Sequence, residues 1–151
     1  GHTFPLATKF SGKRMGLLGM GRIGQEIAAR ASAFKMTVSY HTRRKASVPY
    51  TYHDSLLHMA KNCDFLGTRP TFIVNIYDTA LLSFLAVVIV PGGPSTFHIV
   101  DGPVLDALGP NGFLINVARG SIVDEAALLE RLKNRQLGGA ALDVFEEEPK
   151  M

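Results

Sequence analysis

Short apolar runs alternate along this chain with stretches whose apolar residues recur at helical spacing. Arg14 to Met20 reads as a strand running into glycines. Arg22 to Phe34 then reads as a helix, with Ile23, Ile27, Ala31 and Phe34 on one face at helical spacing. Met36 to Tyr40 is a second strand and Val48 to Tyr52 a short third. Ser55 to Lys61 is helical behind Asp54 as its cap. Phe84 to Val90 is nearly all apolar, the pattern of a strand covered on both faces. Asp101 caps a short helix reaching Leu108, with Pro103 in its first turn and Gly109 as the stop. Phe113 to Val117 is the next strand. Asp124 to Leu137 is a helix with Leu128, Leu129 and Leu132 inward, and Ala140 to Val144 is the last strand.

Strands alternating with helices in this way predict an α/β fold with a doubly wound parallel sheet. One stretch fits poorly. Gly67 to Ala86 has its own apolar run, Phe72 to Ile76, and Phe72 to Val90 taken together approaches the length of a membrane span. Asn75 and Asp78 interrupt it, and polar groups within lipid are costly, so no membrane partner is expected. The stretch is read as an atypical insertion at 67–86 in a single domain covering 1–151.

Composition narrows the class. At 151 residues, 46% hydrophobic and 19% charged, the chain has enough apolar material for one packed core. A net charge of +3 with a single tight basic cluster, Arg43-Arg44-Lys45, argues against nucleic acid as a partner. The lone cysteine, Cys63, excludes an internal disulfide and suggests a reducing, cytoplasmic setting. No targeting signal is visible and no metal is expected.

The chemistry begins at Gly19-Met20-Gly21-Arg22-Ile23-Gly24, a GxGxxG between a strand and a helix. Gly19 permits the tight turn, Gly21 lets the backbone approach a pyrophosphate, and Gly24 lets helix and strand pack closely. The amides of Arg22 and Ile23 then face an anion at the helix start. This is the signature of a Rossmann-type dinucleotide-binding domain. An NAD site places an acidic residue about 20 positions past the first glycine, on the ribose 2′-hydroxyl. Here the second strand ends in Thr42, Arg43 and Arg44 instead. Guanidinium groups suit a 2′-phosphate, so NADP(H) is the preferred cofactor and NAD(H) a lesser one.

Three further segments carry a resemblance: Gly12 to Gly16 leading into the glycine turn, Asn116 to Glu125, and Gly139 to Pro149. In that order they resemble the D-isomer-specific 2-hydroxyacid dehydrogenases. The Pro91-Gly92-Gly93 turn and the Thr-Arg-Arg ending look most like the glyoxylate/hydroxypyruvate reductase branch. The resemblance implies hydride transfer to a small 2-oxo acid, or the reverse from a 2-hydroxy acid, in a homodimer. It implies that Arg119 binds the substrate carboxylate and carbonyl, and that Glu148 pairs with a catalytic histidine. It implies that Asp143 holds the nicotinamide carboxamide, and that Val117 makes a backbone contact near that ring, with Ala118 and Arg119 beside it. Pro91 and Thr96 lie along the cofactor. The family's general acid, a histidine in a Pro-His context after the glutamate, is not among His2, His41, His53, His58 and His98. The chain is therefore expected to be a cofactor domain of a longer enzyme, without turnover by itself. The competing readings are a nucleotide-sensing, corepressor-like binding domain and, more remotely, a methyltransferase-like site. The arginines after the second strand disfavour the latter, because a methyl donor's ribose needs an acidic acceptor there.

Overall fold

A computed structural model describes residues 11–62 and 84–147. Six strands form one sheet in the order β3-β2-β1-β4-β5-β6. They are β1 Arg14–Leu18, β2 Thr37–His41, β3 Thr51–His53, β4 Phe84–Val88, β5 Gly112–Asn116 and β6 Gly139–Leu142. Every pairing between neighbours is parallel. The order runs outward from β1 in one direction and from β4 in the other. The crevice between their carboxyl ends is therefore the topological switch point, where open α/β sheets bind ligands.

The helices cover both faces. Helix α1, Arg22–Ala33, lies over β1 and β2. There Ala28 and Ala31 join Met15, Leu17, Met36, Val38 and Tyr40 in one core. Helices α2 (Leu56–Asn62), α3 (Gly102–Leu108) and α4 (Glu125–Lys133) build a second core with Leu18, Val88 and Leu114. Adjacent Leu17 and Leu18 thus serve opposite faces of one strand, as the two-residue period of a strand requires.

Several expectations are corrected. On α1 the buried residues are Gly24, Ala28 and Ala31, whereas Ile23 is 63% and Phe34 56% exposed. The cause is Gly24. A Cβ there would stand 2.5 Å from the Gly19 carbonyl oxygen, so the helix lies with its small residues against the bend. Ile27 is left at the edge and Ile23 in the crevice. On α4, Leu128 is buried and Leu132 packs on the core, but Leu129 is 52% exposed. Helix α2 is capped by Ser55 rather than Asp54, its hydroxyl accepting from the His58 amide at 3.3 Å. Asp101 does cap α3, accepting from the Val104 amide at 3.1 Å, and Gly109 ends it at φ +71°. Helix α4 stops at Lys133, because Asn134 and the left-handed Arg135 turn the chain. Strand β5 ends at Asn116, which leaves Val117 outside the sheet and exposed. The Phe72–Ile76 run lies outside the described residues, while Phe84 to Ala86 form the start of β4. Among the described residues no helix is long and apolar enough to cross a membrane.

Candidate functional site

The switch-point crevice is a cleft of about 1050 Å³. Its floor is the bend between β1 and α1, and its three glycines answer to three different constraints. Gly19 sits at φ +113°, and a Cβ there would meet the Ile89 carbonyl oxygen at 2.9 Å, so side chains are excluded twice over. Gly24 is the close-packing position already described. At Gly21 a Cβ would meet nothing within 4 Å, so its missing side chain is explained by nothing among the described residues. That open space fits a ligand atom lying against the backbone.

The bend is tightly held. The Gly19 amide donates to the His41 carbonyl at 3.0 Å, and the Ile89 amide to that of Leu18 at 2.8 Å. Gly21 caps α1 without a side-chain hydrogen bond, and the first amide to find a backbone acceptor is Gln25, on Gly21. The preceding helix amides are the ones that helix geometry leaves without internal acceptors. Together with the helix dipole they favour an anion at this point.

One wall of the cleft is the exit of β2: His41, Thr42, Arg43 and Arg44. Two tyrosines shape it. The Tyr40 hydroxyl, on a fully buried side chain, donates to the Ala46 carbonyl at 3.0 Å and accepts from the Ala46 amide at 3.1 Å. The Tyr52 hydroxyl donates to the Thr42 carbonyl at 3.2 Å. The basic loop is therefore folded back on the sheet. The Thr42 hydroxyl donates to the Arg44 carbonyl at 2.6 Å, so its hydrogen is already engaged within the loop.

The other wall is the loop after β4, with Pro91, Gly92 and Thr96. The Thr96 hydroxyl lies 2.8 Å from the Pro91 carbonyl and 3.2 Å from that of Gly93, closing the turn. A Cβ at Gly92 would stand 3.0 Å from the Arg119 Cγ, which brings the stem of Arg119 against this turn. Arg119 itself is exposed and spends one donor on the Ala118 carbonyl at 2.7 Å. Beneath it, Asn116 is 1% exposed and ties both ends of its bend. It donates to the Arg119 carbonyl at 2.9 Å and accepts from the Ala118 amide at 3.1 Å.

The last motif arrives from β6. The Asp143 amide donates to the Asn116 carbonyl at 2.9 Å, extending the ladder by one step. Gly120, in a turn of 3-10 helix (Gly120–Ile122), lies so close to the Phe145 carbonyl that no Cβ fits between them. The Glu146 amide donates to the Glu125 carboxylate at 2.7 Å, and Glu146 pairs with His98 Nε2 at 2.9 Å. Segments far apart in the chain thus meet where Arg119 stands.

The glycine-turn residues Gly19, Met20, Gly21, Arg22, Ile23 and Gly24 share one cleft with Thr42, Arg43, Arg44, Pro91 and Thr96. Val117, Ala118, Arg119 and Asp143 lie off that cleft, at the ends of β5 and β6. Glu148 lies outside the described residues. Sequence reasoning passed over His41, whose one signal was its place next to Thr42-Arg43-Arg44. It also passed over Asn116 as a positioning residue, and over the His98–Glu146 pair, which no local pattern announces across 48 positions.

Comparison with known proteins agrees with this architecture. Residues 2–69 and 77–151 match the family described as D-isomer specific 2-hydroxyacid dehydrogenase, NAD binding domain. The chain belongs to this family. It is 45% identical over 149 residues to a hydroxyphenylpyruvate reductase of Plectranthus scutellarioides, covering 98% of this chain and 41% of the relative. It is also 45% identical to a glyoxylate/hydroxypyruvate reductase A of Arabidopsis thaliana, at 97% and 41% coverage. Among solved structures, an NADPH-dependent glyoxylate/hydroxypyruvate reductase from Sinorhizobium meliloti, in complex with NADP and malonate, superimposes with a TM-score of 0.80. It shares 44% identity, over 98% of this chain and 41% of that one. The chain thus spans about two fifths, 41%, of the length of these relatives.

Proposed function

We propose that this chain is the coenzyme-binding part of an NADPH-preferring 2-hydroxyacid dehydrogenase that reduces a small 2-oxo acid of the glyoxylate or hydroxypyruvate kind. The observation that carries it is the pairing, in one cleft, of an open backbone surface at Gly21 with Arg43 and Arg44 at the exit of β2. The first surface suits a diphosphate. The arginines suit a further phosphate on the adenosine ribose, where a carboxylate would instead repel it. The chemistry a bound nicotinamide supplies is a hydride at the ring's C4.

This chain's own residues do the rest by placement. The first-turn amides of α1 hold the diphosphate. Pro91 and Thr96 line the path toward the nicotinamide end. Val117, Ala118 and the Asp143 carboxylate border the ring, with Asp143 receiving its carboxamide. Arg119, carried on the Asn116-braced bend, presents a planar fork to a 2-oxo acid, binding the carboxylate and favouring charge on the carbonyl oxygen as it is reduced. Glu148 pairs with the histidine that protonates that oxygen. By the same resemblance the working form is a homodimer, and the lone Cys63 suits a reducing, cytoplasmic setting.

Titration of this chain with NADPH and NADH tests the reading. NADPH is expected to bind more tightly, and the double variant Arg43→Ala, Arg44→Ala to abolish the difference while leaving NADH affinity nearly unchanged. Tighter NADH binding, indifferent to both arginines, would overturn it.

A further inference from the structure

The 3-10 turn Gly120–Ile122, directly after Arg119, is gripped from two sides. From the loop after β4, the His98 amide donates to the Ser121 carbonyl at 2.9 Å. From the segment leaving β6, the Phe145 carbonyl lies against Gly120, and the Glu146 amide donates to the Glu125 carboxylate at 2.7 Å. The two arriving segments then join each other, with His98 Nε2 2.9 Å from Glu146 Oε1. A carboxylate oxygen only accepts, so Nε2 donates, which the ring can do neutral or charged.

His98 holds this place against its own backbone preference. It sits at φ +47°, a left-handed conformation that glycine adopts freely and other residues adopt under strain. What a histidine adds there is its ring. Phe97 stacks on that ring, with 3.9 Å between centroids and 16° between planes. Both side chains of the His98–Glu146 pair are only about a third exposed, at 32% and 30%.

What the pair holds is the far end of the cleft. The Ile89 amide ties the start of the loop to Leu18. Beyond it, among the described residues, the hydrogen bonds of the Pro91–Thr96 turn run within the loop, from the Thr96 amide to Gly93 and from its hydroxyl to Pro91. His98 is the first residue past Thr96 to bond another segment. A dinucleotide with its 2′-phosphate at the exit of β2 and its diphosphate on the glycine bend sends its other half toward this turn.

We infer that His98 and Glu146 are positioning residues for the nicotinamide half of the cofactor, their bond fixing the Pro91–Thr96 turn against the bend that bears Arg119. The inference rests on the reading of the cleft as a dinucleotide site with its adenosine end at Arg43 and Arg44. Breaking the bond therefore weakens ligands that carry a nicotinamide half and spares one that stops at the adenosine. NADPH and NADH share that half and suffer alike.

The experiment is calorimetric titration of this chain, at one pH and ionic strength, with NADPH, NADH and adenosine 2′,5′-bisphosphate, which lacks the nicotinamide half. His98→Gly removes the ring and leaves a residue at ease with φ +47°. Glu146→Ala removes the acceptor, whereas Glu146→Gln keeps an oxygen that accepts. Thermal melts by circular dichroism establish that each variant is folded. His98→Gly and Glu146→Ala should each weaken NADPH and NADH about three- to fivefold, the scale of a partly exposed pair, and the bisphosphate less than about twofold. The double variant should lose no more than either single one, since one bond is broken in all three. Glu146→Gln should keep most of the affinity. A pair that served only the fold would weaken all three ligands together or none, and either result overturns the inference. So would losses that add in the double variant. If the unsubstituted chain prefers NADPH through Arg43 and Arg44 while His98→Gly changes nothing, only this inference has failed. If it binds neither the dinucleotides nor the bisphosphate, the reading of the cleft has failed and this inference with it.

Discussion

Gly21 and Gly24 lie three residues apart in one bend, and replacing each by alanine should produce opposite phenotypes. At Gly24 the new methyl would stand 2.5 Å from the Gly19 carbonyl oxygen, a backbone atom that cannot swing aside. Overpacking costs about 1–3 kcal/mol, and a methyl 2.5 Å from a backbone atom belongs at the upper end, about 2–3 kcal/mol. Alanine recovers up to about 1 kcal/mol of helix propensity at that position. The net is a destabilisation of about 1–2 kcal/mol. At about 2–4 °C per kcal/mol for a chain of this size, the melting temperature should drop by about 2–8 °C. At Gly21 the methyl meets nothing within 4 Å, and φ of −75° with ψ of −164° is ordinary for alanine. The only structural loss is a poorer helix cap, at most about 1 kcal/mol.

Binding should invert the ranking. The Gly21 methyl occupies the space that a diphosphate needs and holds it off the helix amides. Losing two hydrogen bonds to a charged group, at about 1.5–3 kcal/mol each, weakens affinity at least a hundredfold. Gly24→Ala, refolded with a slightly shifted bend, should lose less. The assays are thermal unfolding by circular dichroism and fluorescence titration with NADPH on the same preparations. If Gly21→Ala binds NADPH like the unsubstituted protein, the diphosphate does not lie on this backbone and the cleft has been misread.

Other outcomes follow from the same geometry. Asn116→Ala removes both partners of a buried bend and should cost about 1–3 kcal/mol for each group left unsatisfied, read by chemical denaturation. Asn116→Asp keeps an acceptor for the Ala118 amide but sets a buried carboxylate oxygen against the Arg119 carbonyl, and should cost at least as much as Asn116→Ala. Tyr40→Phe removes the hydroxyl that both donates to and accepts from Ala46, so NADPH affinity should fall while NADH affinity changes less. A uniform fall for both cofactors would show that the loop is not what the tyrosine supports. Burial, then His58 and His41, hold the His53 imidazole below its ordinary 6.5 against the pull of Asp54. The unfolded chain therefore binds more protons between the two values, and stability should rise with pH through that window and level off above about 6.5. His53→Gln should flatten this part of a melting-temperature profile.

The fold was legible because each element announces itself locally. The GxGxxG needs only six residues to state its turn, and Asp101 with Gly109 marks both ends of α3. The faces were less legible. Ile23 and Phe34 look inward by spacing, but the closeness of Gly24 to Gly19 sets the rotation of α1, and spacing cannot see that contact. Leu129 was misread for a related reason. Three leucines within one turn and a half cannot all face a core that Leu128 alone fills to burial. Strand ends drifted by one to three residues because hydrogen bonding with a neighbour ends a strand, and no neighbour is visible in the sequence.

The site divides along the same line. Residues proposed to act through their own backbone or through a contiguous motif are those a sequence can display: the glycine bend, the Thr42-Arg43-Arg44 ending and Arg119. What makes them a site is not displayed there. The Tyr40–Ala46 pair bends the basic loop over the sheet, and Asn116 sets the angle at which Arg119 leaves β5. Gly120 admits the chain after β6 so closely that Glu146 reaches both Glu125 and His98. Each of these is a contact between elements, and each uses a residue whose type alone is unremarkable. In this protein the groups proposed to face a ligand are written as motifs, whereas their aim is set by neighbours that only folding supplies. Substitutions at Tyr40 or Asn116 should therefore disturb binding without touching a motif's ligand-facing residue, and they separate recognition from its support more cleanly than substitutions in the glycine bend.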